Sequence, residues 1–255
     1  MRAWLAILSL SWREVLRFVR QRSRLVGAFG QPLLFWLLLG GGLKASFRPA
    51  GDQGTDYMTY FYPGIIALAL LFTAIFATIS VVEDRKGGFL QGVLVSPVPR
   101  WSIVMGQAAG ATALAVLQGS LLLALAPAAG VKLTLTAVAA SLAVMTLLAL
   151  SLTGLGLLLA WRMDSTQGFH AVMNLLLMPM WLLSGAFFPA AGAPRWLAAV
   201  MAVNPMTYGM SALRRALGSG SAAALPPMGT SLAILAIFAA ATLVSATVLA
   251  RRASA

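Results

Sequence analysis

The chain has 255 residues, 60% of them hydrophobic and 9% charged, with a mean hydropathy of +0.89. A soluble domain carries about 25% charged residues, so the composition excludes a soluble enzyme and places the chain among membrane proteins. The absence of Cys removes disulfide scaffolds, thiolate metal sites and cysteine nucleophiles. A net charge of +12 would point to nucleic acid in a soluble protein, but the basic residues lie at the ends of the chain and in short gaps between apolar runs, the pattern of loops beside a bilayer.

Residues 3–22 form the first element. Trp4, Leu5, Leu8, Trp12, Val15, Leu16 and Val19 recur at helical spacing, and Ser9, Arg13, Arg17 and Arg20 fill the opposite face. Such an amphipathic helix lies along the membrane surface, with Trp at the interface and Arg reaching the headgroups. Packing on a soluble partner is the alternative.

Apolar runs long enough to cross a bilayer core, about 20 residues, cover 25–43, 57–82, 101–126, 133–161, 169–188 and 228–250, which predicts six transmembrane helices. Turn formers occupy the gaps, among them Pro97, Pro99, Pro127, Pro226 and Pro227. Six spans put both termini on one side. The loops on that side hold twelve Lys and Arg against six on the other, so the termini are expected to be cytoplasmic. The arginine-rich stretch before the first span is too long for a signal n-region, and secretory cleavage is not expected.

Between the second and third spans, residues 83–100 carry more order than a loop requires. Glu83, Asp84, Arg85 and Lys86 precede a two-turn apolar helix with Phe89, Leu90, Val93 and Leu94 on one face, stopped by Pro97 and Pro99. An apolar knob offered to the cytoplasm points to docking into a groove of another protein. A reentrant turn packed on its own bundle is the other reading. In the third span, Gly106 and Gly110 at four-residue spacing would permit close approach of another helix.

Residues 189–218 follow the fifth span and are expected to hold two short external helices dipping into the membrane. One covers 194–203. The other has Asn204 as N-cap and Pro205 as first helical residue, Arg214 and Arg215 at its dipole-negative end, and Gly218 as its stop.

Catalytic chemistry has no footing. His170 is the only histidine, which precludes a His-Glu-x-x-His zinc site, and no Gly-x-Ser-x-Gly turn is present. Lys44, Lys86 and Lys132 follow Leu, Arg and Val, so no Gly-Lys phosphate loop exists. The six acids Glu14, Asp52, Asp56, Glu83, Asp84 and Asp164 lie in loops or at span ends, which argues against a proton- or sodium-driven carrier.

The 83–100 segment and the region after the fifth span together resemble the permease subunit of type-2 ATP-binding-cassette exporters, the family of drug-resistance and lipo-oligosaccharide export permeases. Asp84, Arg85, Gly88, Val93, Leu94, Val95, Ser96 and Pro97 match its cytoplasmic motif, with Lys86 in place of a usual acid and Gln91 in place of a usual Glu. Ser184, Gly185, Phe187, Phe188, Pro189, Pro194, Trp196, Asn204, Pro205, Tyr208, Leu213 and Arg214 match its external motif. The resemblance implies an all-α permease domain over 1–255 with a cytoplasmic coupling helix, no catalytic residue and no cofactor. It also implies a homodimer in the inner membrane, with the substrate path between the copies. A separate ATPase subunit would dock on Glu83, Asp84, Arg85, Gly88, Phe89, Leu90, Val93, Leu94 and Pro97. Membrane lipid, not nucleic acid, is the further partner. A secondary carrier, and a non-transport assembly protein such as one for heme, stay open at this point.

Overall fold

A computed structural model of the chain describes residues 2–20, 22–42, 57–95, 97–187, 193–218 and 226–252. Among them all regular structure is helical. Helix α1 (Arg2–Arg20) is followed in the chain by α2 (Arg22–Phe35), which continues as a π-helical turn over Trp36–Gly40. Then come α3 (Tyr57–Ala77), α4 (Ile79–Lys86), α5 (Phe89–Val95), α6 (Arg100–Leu125), α7 (Leu135–Ala160) and α8 (Thr166–Trp181) with a π-helical extension Leu182–Ala186. Helices α9 (Arg195–Val203), α10 (Pro205–Ala216) and α11 (Met228–Arg252) complete the order.

Among the described residues, five helices are long and apolar enough to cross a membrane: Tyr57–Lys86, which joins α3 to α4, Arg100–Ala129, Leu135–Ala160, Thr166–Ala186 and Met228–Arg252. At 1.5 Å per residue, 26 residues reach about 39 Å, more than the hydrocarbon core of roughly 30 Å. The run expected over 25–43 is helical through residue 42, but only Gly30–Gly40 within it counts as an apolar helix, and it is shorter than the other five.

Local chemistry accounts for the starts of several helices. Thr134 caps α7 by accepting from the Ala137 N–H, Ser165 caps α8 by accepting from the Gly168 N–H, and Asn204 caps α10 by accepting from the Met206 N–H at 3.0 Å, with Pro205 at the first helical position as expected. A cap of this kind stabilises a helix by about 1 kcal/mol. Gly218, at φ +64°, turns the chain after α10.

The bundle has a center and a periphery. In the most apolar stretch of Tyr57–Lys86, 94% of residues are buried, against 22% in Met228–Arg252. The α3–α4 helix is therefore the axis around which α6, α7, α8 and α10 pack, while α11 rests mainly on α7 and leaves Ile237, Val244 and Val248 exposed. The two segments singled out in the sequence sit at opposite ends of this axis. Tyr60 and Asp84 are 24 positions apart, about 36 Å of helix.

Helix α1 lies on α6. A Cβ on Gly106 would stand 2.9 Å from the Leu10 Cβ, and one on Gly110 would stand 2.9 Å from the Glu14 Cβ and 3.0 Å from the Ser11 carbonyl oxygen. The Ser11 hydroxyl donates to the Gly106 carbonyl at 2.9 Å. The small residues that permit close approach thus receive α1 and leave Trp4, Leu5, Leu8 and Trp12 exposed on its other face.

Candidate functional site: a charged clamp under an apolar knob

At the Asp84 end of the axis, charges from α1 and α4 meet. Arg13 donates to Asp84 through both terminal nitrogens, Nη1 to Oδ2 at 2.6 Å and Nη2 to Oδ1 at 2.7 Å. Arg17, one helical turn on, donates to Asp84 Oδ1 at 3.0 Å and to Glu83 Oε2 at 2.6 Å. Asp84 is 5% exposed, so its charge is held by the fork geometry that two arginines supply and that lysines would not. The hydrogen bond to Asp84 holds the Arg13 guanidinium above its ordinary pKa. Glu14, buried against α6, has its pKa pushed up chiefly by desolvation, opposed by a hydrogen bond with Ser80.

The same Arg13 touches the knob. Its Cζ lies 3.8 Å from the center of the Phe89 ring, a cation–π contact that fixes the ring beside the clamp. Arg85 points the other way, donating to the Trp161 carbonyl at 3.0 Å, to the Met163 carbonyl at 3.3 Å and to Asp164 at 3.3 Å, which ties α4 to the turn between α7 and α8.

The apolar face expected of α5 is divided. Leu90 is 2% exposed and belongs to the core, whereas Phe89 is 42% exposed, Val95 87% exposed and Val93 half-buried. Gly88 at φ +75° makes the turn that sets α5 off from α4, and Pro97 is exposed beyond it. The Leu94 side chain and Ser96 lie outside the described residues. The outward surface is therefore Phe89, Gln91, Gly92, Val93 and Val95, with Glu83, Asp84 and Arg85 engaged inward.

Sequence reasoning missed that Arg13 and Arg17 belong with this segment. It assigned them to lipid headgroups as the polar face of an isolated helix. The available signal was their i, i+4 spacing, set against the adjacent acids Glu83 and Asp84 in a chain with so few charges.

At the other end, the residues of the second motif converge. The Asn204 Nδ2 donates to the Met180 carbonyl at 2.7 Å, Arg214 Nη2 donates to the Gly185 carbonyl at 2.9 Å, and the Ser184 hydroxyl donates to the Trp181 carbonyl. Tyr208 donates to the Ala202 carbonyl at 2.8 Å and links α10 back to α9. Arg214 was expected to serve the dipole of its own helix and instead reaches the end of α8. Phe188 and Pro189 lie outside the described residues.

No group of three or more His, Asp or Glu that could hold a metal occurs among the described residues. His170 stands 5.3 Å from the Phe76 ring and lines, with Phe18, Gln31, Phe72 and Thr73, a largely apolar cleft of about 280 Å³ between α2, α3 and α8. Thr73 donates inward to Gln118.

This arrangement of apolar spans around a buried axis defines a multi-pass α-helical membrane protein, and the two polar clusters at the ends of that axis serve to hold short helices in place. The family model that describes the ABC-2 type transporter matches residues 6–217, and the chain belongs to that family. It is 29% identical over 206 residues to a putative transport permease, ycf38, of Cyanophora paradoxa, covering 79% of this chain and 70% of that one. It is 30% identical over 164 residues to the probable multidrug ABC transporter permease YbhR of Escherichia coli K12, covering 62% of this chain but 43% of the relative. To nodulation protein J of Rhizobium leguminosarum bv. trifolii it is 26% identical over 194 residues, 75% of this chain and 73% of that protein. Membrane transport is accordingly the function of the family, and two of these relatives carry the name of permease.

Proposed function

We propose that the chain is the membrane-spanning, non-catalytic subunit of an ATP-driven exporter. It works as a homodimer with the substrate path between its copies, and a separate ATP-binding-cassette ATPase binds to each copy at α5. Both termini and α5 face the cytoplasm, α9 and α10 face outward, and the complex resides in the cell inner membrane. The exposed Trp4, Leu5, Leu8 and Trp12 of α1 rest in the lipid interface.

The observation that supports this reading most is the hold of Arg13 on Asp84 and on the Phe89 ring together. It makes α1, α4 and α5 one mechanical unit whose outward surface is an apolar patch. A push on Phe89 would be delivered both to α1, which is seated on α6, and to the central axis. That is the arrangement a subunit without its own nucleotide site needs in order to receive work from another.

Phe89→Asp tests it. A carboxylate forced into an apolar groove is left poorly solvated, so the variant inserts into the membrane as wild type does but fails to co-purify with the partner ATPase. Unchanged co-purification would remove α5 as the docking element.

A further inference from the structure

The surface around α5 is built from two chemistries. Phe89 and Val95 put apolar surface outward, 42% and 87% exposed. Beside them, Lys86 stands exposed at the last position of α4, three residues before Phe89, and so within about 11 Å of it along the chain. Arg162, exposed in the turn between α7 and α8, belongs to the same surface. Arg85 brings it there by donating to the carbonyls on either side of it, those of Trp161 at 3.0 Å and Met163 at 3.3 Å. Because Arg85 directly precedes Lys86, one side chain ties both exposed cations to a common edge.

The acids described at this end of the bundle are already engaged. Asp84 and Glu83 are held by Arg13 and Arg17, Asp164 is held by Arg85, and Glu14 is buried against α6. Lys86 and Arg162 form no ion pair among the described residues. Two cations thus flank an apolar patch with no acid left to answer them. The helix Tyr57–Lys86 has 30 residues, about 45 Å of length against a hydrocarbon core of roughly 30 Å. It carries Lys86 and the α5 surface past the hydrocarbon together, so whatever covers Phe89 also meets Lys86. A covering surface with carboxylates at its edge is attracted as it approaches, and one with a basic edge is repelled.

We propose that the groove receiving α5 has an acidic lip, with carboxylates facing Lys86 and Arg162, and that this charge match selects which ATPase the chain accepts. The proposal rests on the reading of α5 as the docking element and adds the chemistry of the partner: an apolar floor for Phe89 and Val95, and an edge of Asp or Glu beside it. An ATPase whose groove is equally apolar but basic at the lip is refused by repulsion rather than by shape.

The test uses the full-length chain in nanodiscs of zwitterionic lipid and, as the probe, the ATPase that co-purifies with the wild-type chain, with binding rates read at low and high salt, about 50 and 500 mM. Lys86→Glu should weaken binding about tenfold at low salt, mainly through slower association. Arg162→Glu should do so by a smaller factor, and Lys86→Gln should fall between wild type and Lys86→Glu. High salt should bring wild type and Lys86→Glu together. Among Asp→Lys and Glu→Lys variants of the ATPase surface, at least one should bind Lys86→Glu better than it binds wild type. Lys86 is exposed, and equal melting temperatures show that its variants keep the fold. Wild-type binding by Lys86→Glu at both salts, with Phe89→Asp weakened, would overturn the acidic lip and leave the docking reading standing. Unchanged binding by Phe89→Asp would remove the docking reading and the lip with it. The same measurement in nanodiscs containing phosphatidylglycerol separates a lipid phosphate from a protein carboxylate: a Lys86→Glu loss that occurs only there would assign Lys86 to headgroups and overturn the proposal.

Discussion

Arg13 grips Asp84 with both guanidinium nitrogens, at 2.6 and 2.7 Å, across 71 positions of sequence. A carboxylate that is 5% exposed cannot be left uncompensated, and removing one member of such a pair costs about 3–5 kcal/mol when both are buried. Arg13 is a third exposed, so about 2–3 kcal/mol is expected for Arg13→Gln. The double variant with Asp84→Asn should lose much less than the sum of the single losses. Thermal unfolding of the four proteins in detergent measures the cycle, and additive losses would show that the contact carries no coupling.

The seat of α1 makes a second prediction. A leucine at Gly110 would drive its Cβ into Glu14 and the Ser11 backbone, both within 3.0 Å. Overpacking of this kind costs about 1–3 kcal/mol, and α1 can escape it by leaving the surface of α6. Gly110→Leu should therefore speed tryptic cleavage after Arg20, while Ala113→Leu, on the exposed side of α6, should not.

Glu14 supplies a pH dependence. Burial holds its folded pKa above the ordinary carboxylate value, about 4.3, so folding favors its protonated form. The stability it contributes is complete below the ordinary pKa and is lost as pH rises through the raised one. Glu14→Gln removes that loss. The melting temperature of the variant relative to wild type should increase steadily from pH 4 upward and level off once Glu14 is ionized in the native state. A difference that stays constant with pH would show that Glu14 does not titrate in this way.

The proposed orientation rests on the twelve basic residues against six. A reporter fused after Arg252 should be cytoplasmic and one inserted near Gly220 external. An external carboxy terminus would contradict the six-span arrangement.

Much of the fold was legible because its signals are local. The apolar runs gave the long helices, the period of Trp4, Leu8 and Trp12 gave α1, and Asn204-Pro205 gave the start of α10. The sites were legible as segments but not as contacts. Nothing in the spacing around Asp84 says that its partner is Arg13, because periodicity cannot report which helix lies against which. Leu90 counted toward an exposed face, although burial depends on what covers it, and here the bundle does. Gly106 and Gly110 could be read as a place for close approach, but only the packing names α1 as the visitor. Arg214 was read from its position in its own helix, whereas its charge is spent on the end of another.

The central claim is that the chain moves its substrate only when a separate ATPase drives it. Purified chain in vesicles, with and without the ATPase, and a hydrophobic dye, decides this in one assay. Dye should move when ATPase and ATP are both present, and should not move when the phosphate-loop Lys of the ATPase is replaced or when only a proton or sodium gradient is imposed. Gradient-driven dye movement by the chain alone would contradict the account and identify a secondary carrier.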